Sequence, residues 1–246
     1  MRCTGKEKIP PYVILSHTWG DEGNTFDDIH ELHARNMQGY SKIERCCHQT
    51  AEDGFEWAWI DTCCIDKRSS SELSEAINSM YRWYWDANIC YAFLSDMDME
   101  SFQDPDPLDL WLRPLWFYRG WCLQELLAPP VVEFYNRHWV CIGTKSSVVD
   151  EISAITQIDR KYLLDRHTIQ GASIATRSSW MSSRNTTRLE DIAYSLLRLV
   201  DVNVPLLYGE GSEAFHRLQP ELIKKTNDHT IFAWDQHLAR RLQRDI

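Results

Sequence analysis

Three short apolar runs, each closing on a polar side chain, constrain this chain more than any other feature. Tyr12-Val13-Ile14-Leu15-Ser16, Trp57-Ala58-Trp59-Ile60-Asp61 and Asn88 to Ser95 read as buried strands, bounded by polar residues. The segments between them carry helical spacing. Residues 25 to 52 do so in two pieces, divided near Gly39. Ser69-x-x-Glu72 matches a capping box, and Leu73, Ala76, Ile77, Met80 and Tyr84 follow one turn after another, which predicts a helix from about Ser70 to about Trp85. The order is β-α-β-α-β. Continuous apolar strands in that alternation imply a parallel sheet covered by helices on both faces. Such sheets bind ligands beyond the carboxyl ends of their strands. Ser16, Asp61 and Ser95 stand at those ends, so the search for function starts there.

The rest of the chain divides in two. Asp96 to Arg113 reads as a long surface loop, with Pro105 and Pro107 in it and Pro114 just after it. A short helix over residues 119 to 128 is stopped by Pro129-Pro130. Val131 to Tyr135 reads as a fourth strand, and Trp139 to Ile142 as a fifth, joined by a tight turn at Asn136-Arg137-His138. Beyond it the signals are helical. Ser147 is placed to cap one helix, Thr187-x-x-Glu190 is a second capping box, and Ser212 can open a third helix. The expectation is an α/β core over residues 10–142, a mainly helical C-terminal part of the same domain over 143–235, and a tail or linker over 236–246.

Composition excludes several classes. A chain of 246 residues with 43% apolar side chains can bury a substantial core. Net charge is −10, which disfavours a nucleic-acid partner. The N-terminus Met1-Arg2-Cys3-Thr4-Gly5-Lys6 lacks an apolar leader, and no run is long enough to span a membrane, so a cytoplasmic location is expected. Eight cysteines occur without any C-x-x-C, several of them in apolar runs, so reduced and buried thiols are expected. Cys46, Cys47 and His48 form the one zinc candidate, at a spacing unlike the usual structural sites, and no metal is expected. There is neither a Gly-rich dinucleotide fingerprint nor a P-loop.

Four blocks of this chain resemble the heterokaryon-incompatibility (HET) domain of filamentous fungi. They are YVILSHTWG at Tyr12 to Gly20, WIDTCCIDKRSSSELSEAINS at Trp59 to Ser79, WFYRGWCLQELLAP at Trp116 to Pro129, and a set between Thr186 and Trp234 that includes VPLLYGEGSEAFHRLQ. Two positions depart from the family pattern: Cys122 stands where Thr is usual, and Arg198 where Gly is usual. HET domains are in turn distantly similar to Toll/interleukin-receptor (TIR) domains. Leu15-Ser16-His17-Thr18-Trp19-Gly20 takes the place of the TIR first turn, Ile60-Asp61 that of the second strand end, and Trp121-Cys122-Leu123-Gln124-Glu125-Leu126 that of the TIR Trp-Cys-Leu-x-Glu-Leu helix. The resemblance implies a TIR/flavodoxin-like fold with a mainly helical C-terminal extension. It also implies an intracellular module that triggers programmed cell death in self/non-self recognition. Activation would follow self-association, through a regulatory sensor domain or protein partner. In enzymatic TIR domains the glutamate of that motif cleaves NAD, which carries over to Glu125 as the catalytic residue and to NAD as substrate rather than cofactor.

That chemistry suits a single carboxylate. Nicotinamide leaves from a positively charged ring and departs neutral, so the second carboxyl that glycosidases use as a general acid is not needed. Ser16, His17 and Asp61 are placed to bind ribose or phosphate, Arg119 to pair with pyrophosphate, and Trp19 and Trp121 to stack on rings. Other roles stay open for the same residues. Asp61 can cap a turn, and Arg119 can pair with Glu125 or Asp61. Glu125 can be purely structural in a non-enzymatic adaptor that works by homotypic assembly. A cysteine hydrolase with His17 as base is a third reading, against which stands the absence of any local feature that lowers a thiol pKa.

Overall fold

The computed structural model describes residues 9–18, 25–37, 39–98, 111 and 114–232. A five-stranded sheet lies at its centre: β1 (Val13–His17), β2 (Ala58–Ile60), β3 (Ile89–Phe93), β4 (Val132–Tyr135) and β5 (Cys141–Thr144). The strand order is β2-β1-β3-β4-β5. All pairings are parallel except β4 with β5. This is the flavodoxin-like order, whose strand direction of build reverses between β1 and β3. The antiparallel edge strand follows from the short connection, since only an antiparallel pair can be joined by a tight turn. Trp139 takes a left-handed φ of 59° in that turn, and β5 begins two residues later than the sequence suggests.

The helices form largely where the local signals lie. Three-ten turns at Asp28–His30 and Leu32–Asn36 precede α1 (Tyr40–Glu52). The short α2 (Asp61–Cys64) starts directly at the end of β2. Then comes α3 (Ser70–Asp86). Ser69 Oγ accepts from the Glu72 amide at 3.2 Å, but the return arm of the box differs, because Glu72 Oε1 accepts from the Asp66 amide at 3.3 Å. After α4 (Cys122–Leu127), the C-terminal part holds α5 (Val149–Thr156), α6 (Arg160–Leu164), α7 (Ile174–Ser179), α8 (Glu190–Tyr194) and α9 (Glu213–Lys225).

Two of the capping expectations fail there. Ser147 Oγ accepts from the Thr144 amide and closes a turn instead of opening a helix. Glu190 turns its carboxylate outward from its own helix to the amides of Gly209 and Gly211, at 2.7 and 3.0 Å, and so ties α8 to the loop before α9.

The two sheet faces are unequal. Side chains alternate along β1, so Ile14 belongs to a large core with Ala92, Leu123, Leu126, Trp180, Leu196, Phe215 and Leu218. Val13 and Leu15 belong to a smaller core with Ile43, Cys46, Ile60, Tyr91 and Phe93. The C-terminal helices thus share the larger core with the sheet. Among the described residues, no helix is long and apolar enough to cross a membrane.

Candidate functional site

Helix α4 is fixed from all sides. Gly120 leads into it, and its amide donates to the Asn185 carbonyl at 2.8 Å beside the bridge that pairs Arg119 with Asn185. A Cβ on Gly120 would run into the Thr186 methyl group and come within 2.6 Å of Met181 Cε, so the close approach requires glycine. At the other end, the last carbonyls of a helix lack partners within it. Here the buried Lys145 ammonium donates to the carbonyls of Leu126 and Pro129 at 3.0 and 2.9 Å. Every residue of α4 is buried.

Glu125 is therefore an interior carboxyl, 9% exposed. It accepts from Ser16 Oγ at the end of β1, and Ser16 Oγ in turn accepts from the indole N–H of Trp116 at 2.6 Å. The Cys122 thiol is a further donor to it. Burial is the largest influence on its proton and pushes the Glu125 pKa up to about 7, helped by the negative charge of Asp61 and opposed by Ser16, Arg119 and Cys122. Tyr84, whose hydroxyl donates to the Leu15 carbonyl at 3.2 Å, is driven well above the usual phenol range by burial and then by the Glu125 charge. Arg184 lies on the same side, fully buried, with Nη1 donating to the Arg119 carbonyl at 3.0 Å. Burial lowers its pKa to about 10, against the pull of Cys122 and Glu125.

His17 follows Ser16 in β1 and so points to the opposite face, in register with Phe93 as Ser16 is with Ala92. Its Nδ1 lies 3.7 Å from Asp61 Oδ1 at the start of α2. Neither ring nitrogen has a hydrogen-bond partner among the described residues. Burial drives its pKa well below the usual value, reinforced by Lys42, Arg119 and Lys67, so the ring is neutral. At the crevice between β1 and β3, Thr18 Oγ1 and Ser95 Oγ meet at 3.3 Å.

The other residues singled out in the sequence scatter. Arg119 is half-buried and acts on both Glu125 and His17 through its charge, without an ion pair to Glu125. The Trp121 side chain donates to Asp191, which also accepts from Tyr208 Oη at 2.8 Å, so this indole ties α4 to α8. Trp19 lies outside the described residues. Trp116, Tyr84 and Arg184 escaped the sequence reading. Trp116 sits in a matched block, but an indole donor to a strand-end serine has no local signature.

The thiol expectation needs correction. Cys46, Cys90 and Cys122 are buried, whereas Cys47, Cys64 and Cys141 are exposed. The Cys64 thiol pKa is lowered, chiefly by its contact with the Cys63 thiol and also by the Ile60 amide, which donates to its sulfur at 3.5 Å. Its acidity thus depends on a neighbouring thiol, not on His17. Among the described residues, no group of three or more His, Cys, Asp or Glu could hold a metal ion.

Compared with protein families, residues 12–109 match the family described as heterokaryon incompatibility protein (HET). The chain is also 46% identical, over 223 residues and 88% of its own length, to the vegetative incompatibility protein HET-E-1 of Podospora anserina. It spans 16% of the length of that relative. No solved structure matches it.

Proposed function

The chain belongs to the HET-domain family, and from that premise we propose that it acts in fungal self/non-self recognition by cleaving NAD at the nicotinamide–ribose bond, with Glu125 as catalytic residue. Family membership supports a role in heterokaryon incompatibility. The observation that carries the finer reading is the position of Glu125. Its carboxyl hangs beside the end of β1, next to the crevice where the sheet order reverses, which is where such sheets bind ligands.

In this reading the C1′–N bond of NAD breaks and its electron pair passes to the pyridinium nitrogen. Nicotinamide departs neutral, so no acid has to protonate it. An ionised Glu125 stabilises the positive charge growing on the ribose. Water then attacks C1′ and loses its proton, which gives ADP-ribose. The hydroxyl of Ser16 orients the carboxylate, and the neutral imidazole of His17 and the Asp61 carboxylate supply ribose contacts from the neighbouring strand ends.

Burial makes the described conformation a resting one. With a pKa of about 7 the carboxyl is substantially protonated at neutral pH, and it is 9% exposed. Self-association, driven by a sensor domain or partner, would uncover it, and contact with water would lower its pKa and leave it anionic. The test is the NAD content of fungal cells that express the chain fused to an inducible oligomerising module. Depletion with the natural sequence but not with Glu125→Ala supports the reading; equal NAD in both with assembly verified overturns it.

The same burial favours a second reading. A carboxyl held by Ser16 and Cys122 inside a packed helix also suits an adaptor that signals by homotypic assembly, with Glu125 as a structural link between α4 and β1. Cell death that persists in Glu125→Gln, at undiminished NAD, would identify it.

A further inference from the structure

A separate cleft of about 490 Å³ opens between α3 and the segment 166–201. Asn78, Tyr81, Arg82 and Trp85 face it from α3. They recur at the spacing that puts residues on one helical stripe, beside the core stripe of Ala76, Ile77 and Tyr84, and Tyr81 and Trp85 also pack against that core. Glu125 and Ser16 do not line it.

Aromatic rings and cations are interleaved in this cleft. Tyr81 stacks on Trp85 at 6.0 Å with an interplanar angle of 29°, and both rings are half-buried. The Arg166 guanidinium lies 3.9 Å over the Trp85 ring. Arg166 commits Nη1 to the carbonyls of Trp85 and Ala128, at 2.7 and 2.8 Å, and leaves Nε and Nη2 as donors. Arg198 reaches the Asn78 carbonyl through Nε and Nη2, both at 3.3 Å, and leaves Nη1. Both forks are thus held from behind by main chain.

The charges around them do not cancel. Asp201 lines the cleft but is paired with Lys225 at 2.7 Å, and Arg82 is paired with Asp86 at 3.2 Å. Arg166 and Arg198 have no carboxylate partner among the described residues. Two positioned guanidinium groups recognise phosphate well, and flat aromatic surfaces recognise a base. The volume falls within the range of small-molecule sites.

We propose that this cleft is a binding site for a nucleoside phosphate, with the base against Tyr81, whose ring is backed by Trp85, and the phosphate between Arg166 and Arg198. It stands independently of any chemistry at Glu125. Occupancy would reinforce the link that Arg166 and Arg198, from the C-terminal helical part, already make to α3.

Calorimetric titration of the purified chain with AMP, adenosine and inorganic phosphate tests the assignment. AMP should bind, and adenosine and phosphate should each bind at least about tenfold more weakly. Arg198→Ala should weaken AMP at least about tenfold, because it removes one phosphate contact. Arg198 is exposed, so this variant should melt like the natural sequence. No heat from AMP up to about 1 mM would overturn the proposal. So would phosphate binding as tightly as AMP, unchanged AMP affinity in a folded Arg198→Ala, or AMP binding lost only in Glu125→Gln, which would place the nucleotide at the other site.

Discussion

Ser16 Oγ donates its proton to the Glu125 carboxyl, and the same oxygen accepts the indole N–H of Trp116, so one hydroxyl joins the end of β1 to α4 and to the turn before it. The three side chains sit in the interior as a short relay. Trp116 and Glu125 each bond the Ser16 hydroxyl, which stands between them.

Ser16→Ala breaks the relay at its centre. It strands the Trp116 indole N–H and removes a donor from Glu125, both in a dry environment. A buried polar group left without its partner costs about 1–3 kcal/mol. Urea unfolding should show a loss of that order. Ser16→Thr, which keeps the hydroxyl, should recover part of it.

Stability should also carry a pH signature from Glu125. Its folded pKa is raised, so the folded state holds the proton more tightly than the unfolded chain. The resulting stabilisation is fully present below the ordinary glutamate value of 4.5 and is lost as pH rises through about 7. Glu125→Gln, which keeps a neutral acceptor, should abolish this decline. The stability of that variant relative to the natural sequence should therefore rise between pH 5 and 8.

His17 acts in the opposite direction. Its folded pKa lies well below 6.5, so its stabilisation is present above that value and lost as pH falls below it, when the unfolded chain takes up a proton that the buried ring refuses. His17→Gln should flatten the acid limb of the profile. The two groups oppose each other near pH 6, so the natural sequence should vary less with pH than either variant alone.

Gly120→Ala tests the close approach of Gly120 to Met181 and Thr186. The new methyl would collide with Thr186 and crowd Met181 Cε. Overpacking of this kind costs about 1–3 kcal/mol. Pairing it with Thr186→Ser, which removes the colliding methyl, should restore stability beyond the sum of the single effects in an unfolding double-mutant cycle.

These contacts also show where the sequence was readable. β1, β2, β3 and α3 announce themselves because apolar runs, polar strand ends and Ser69 are local signals. The shortened helix around Glu125 and the reassigned box at Glu190 depend on partners far along the chain, Asn185 in one case and Gly209 with Gly211 in the other. Strand alternation already places Ser16 and His17 on opposite faces. Which face holds Glu125 depends on how α4 packs, and that is a tertiary choice. Trp121 shows the same limit. Its motif suggested a stacking platform, while its indole N–H turns to Asp191 on α8.

The most direct test of the enzymatic reading is nicotinamide release from NAD by the purified chain, clustered by a fused oligomerising module, with Glu125→Ala measured beside it. The reading predicts steady release by the clustered natural sequence and loss of at least about a hundredfold in the variant, as removal of a principal electrostatic group costs. Equal release by both, or none from verified clusters of the natural sequence, would contradict it and leave Glu125 as a structural link in an adaptor.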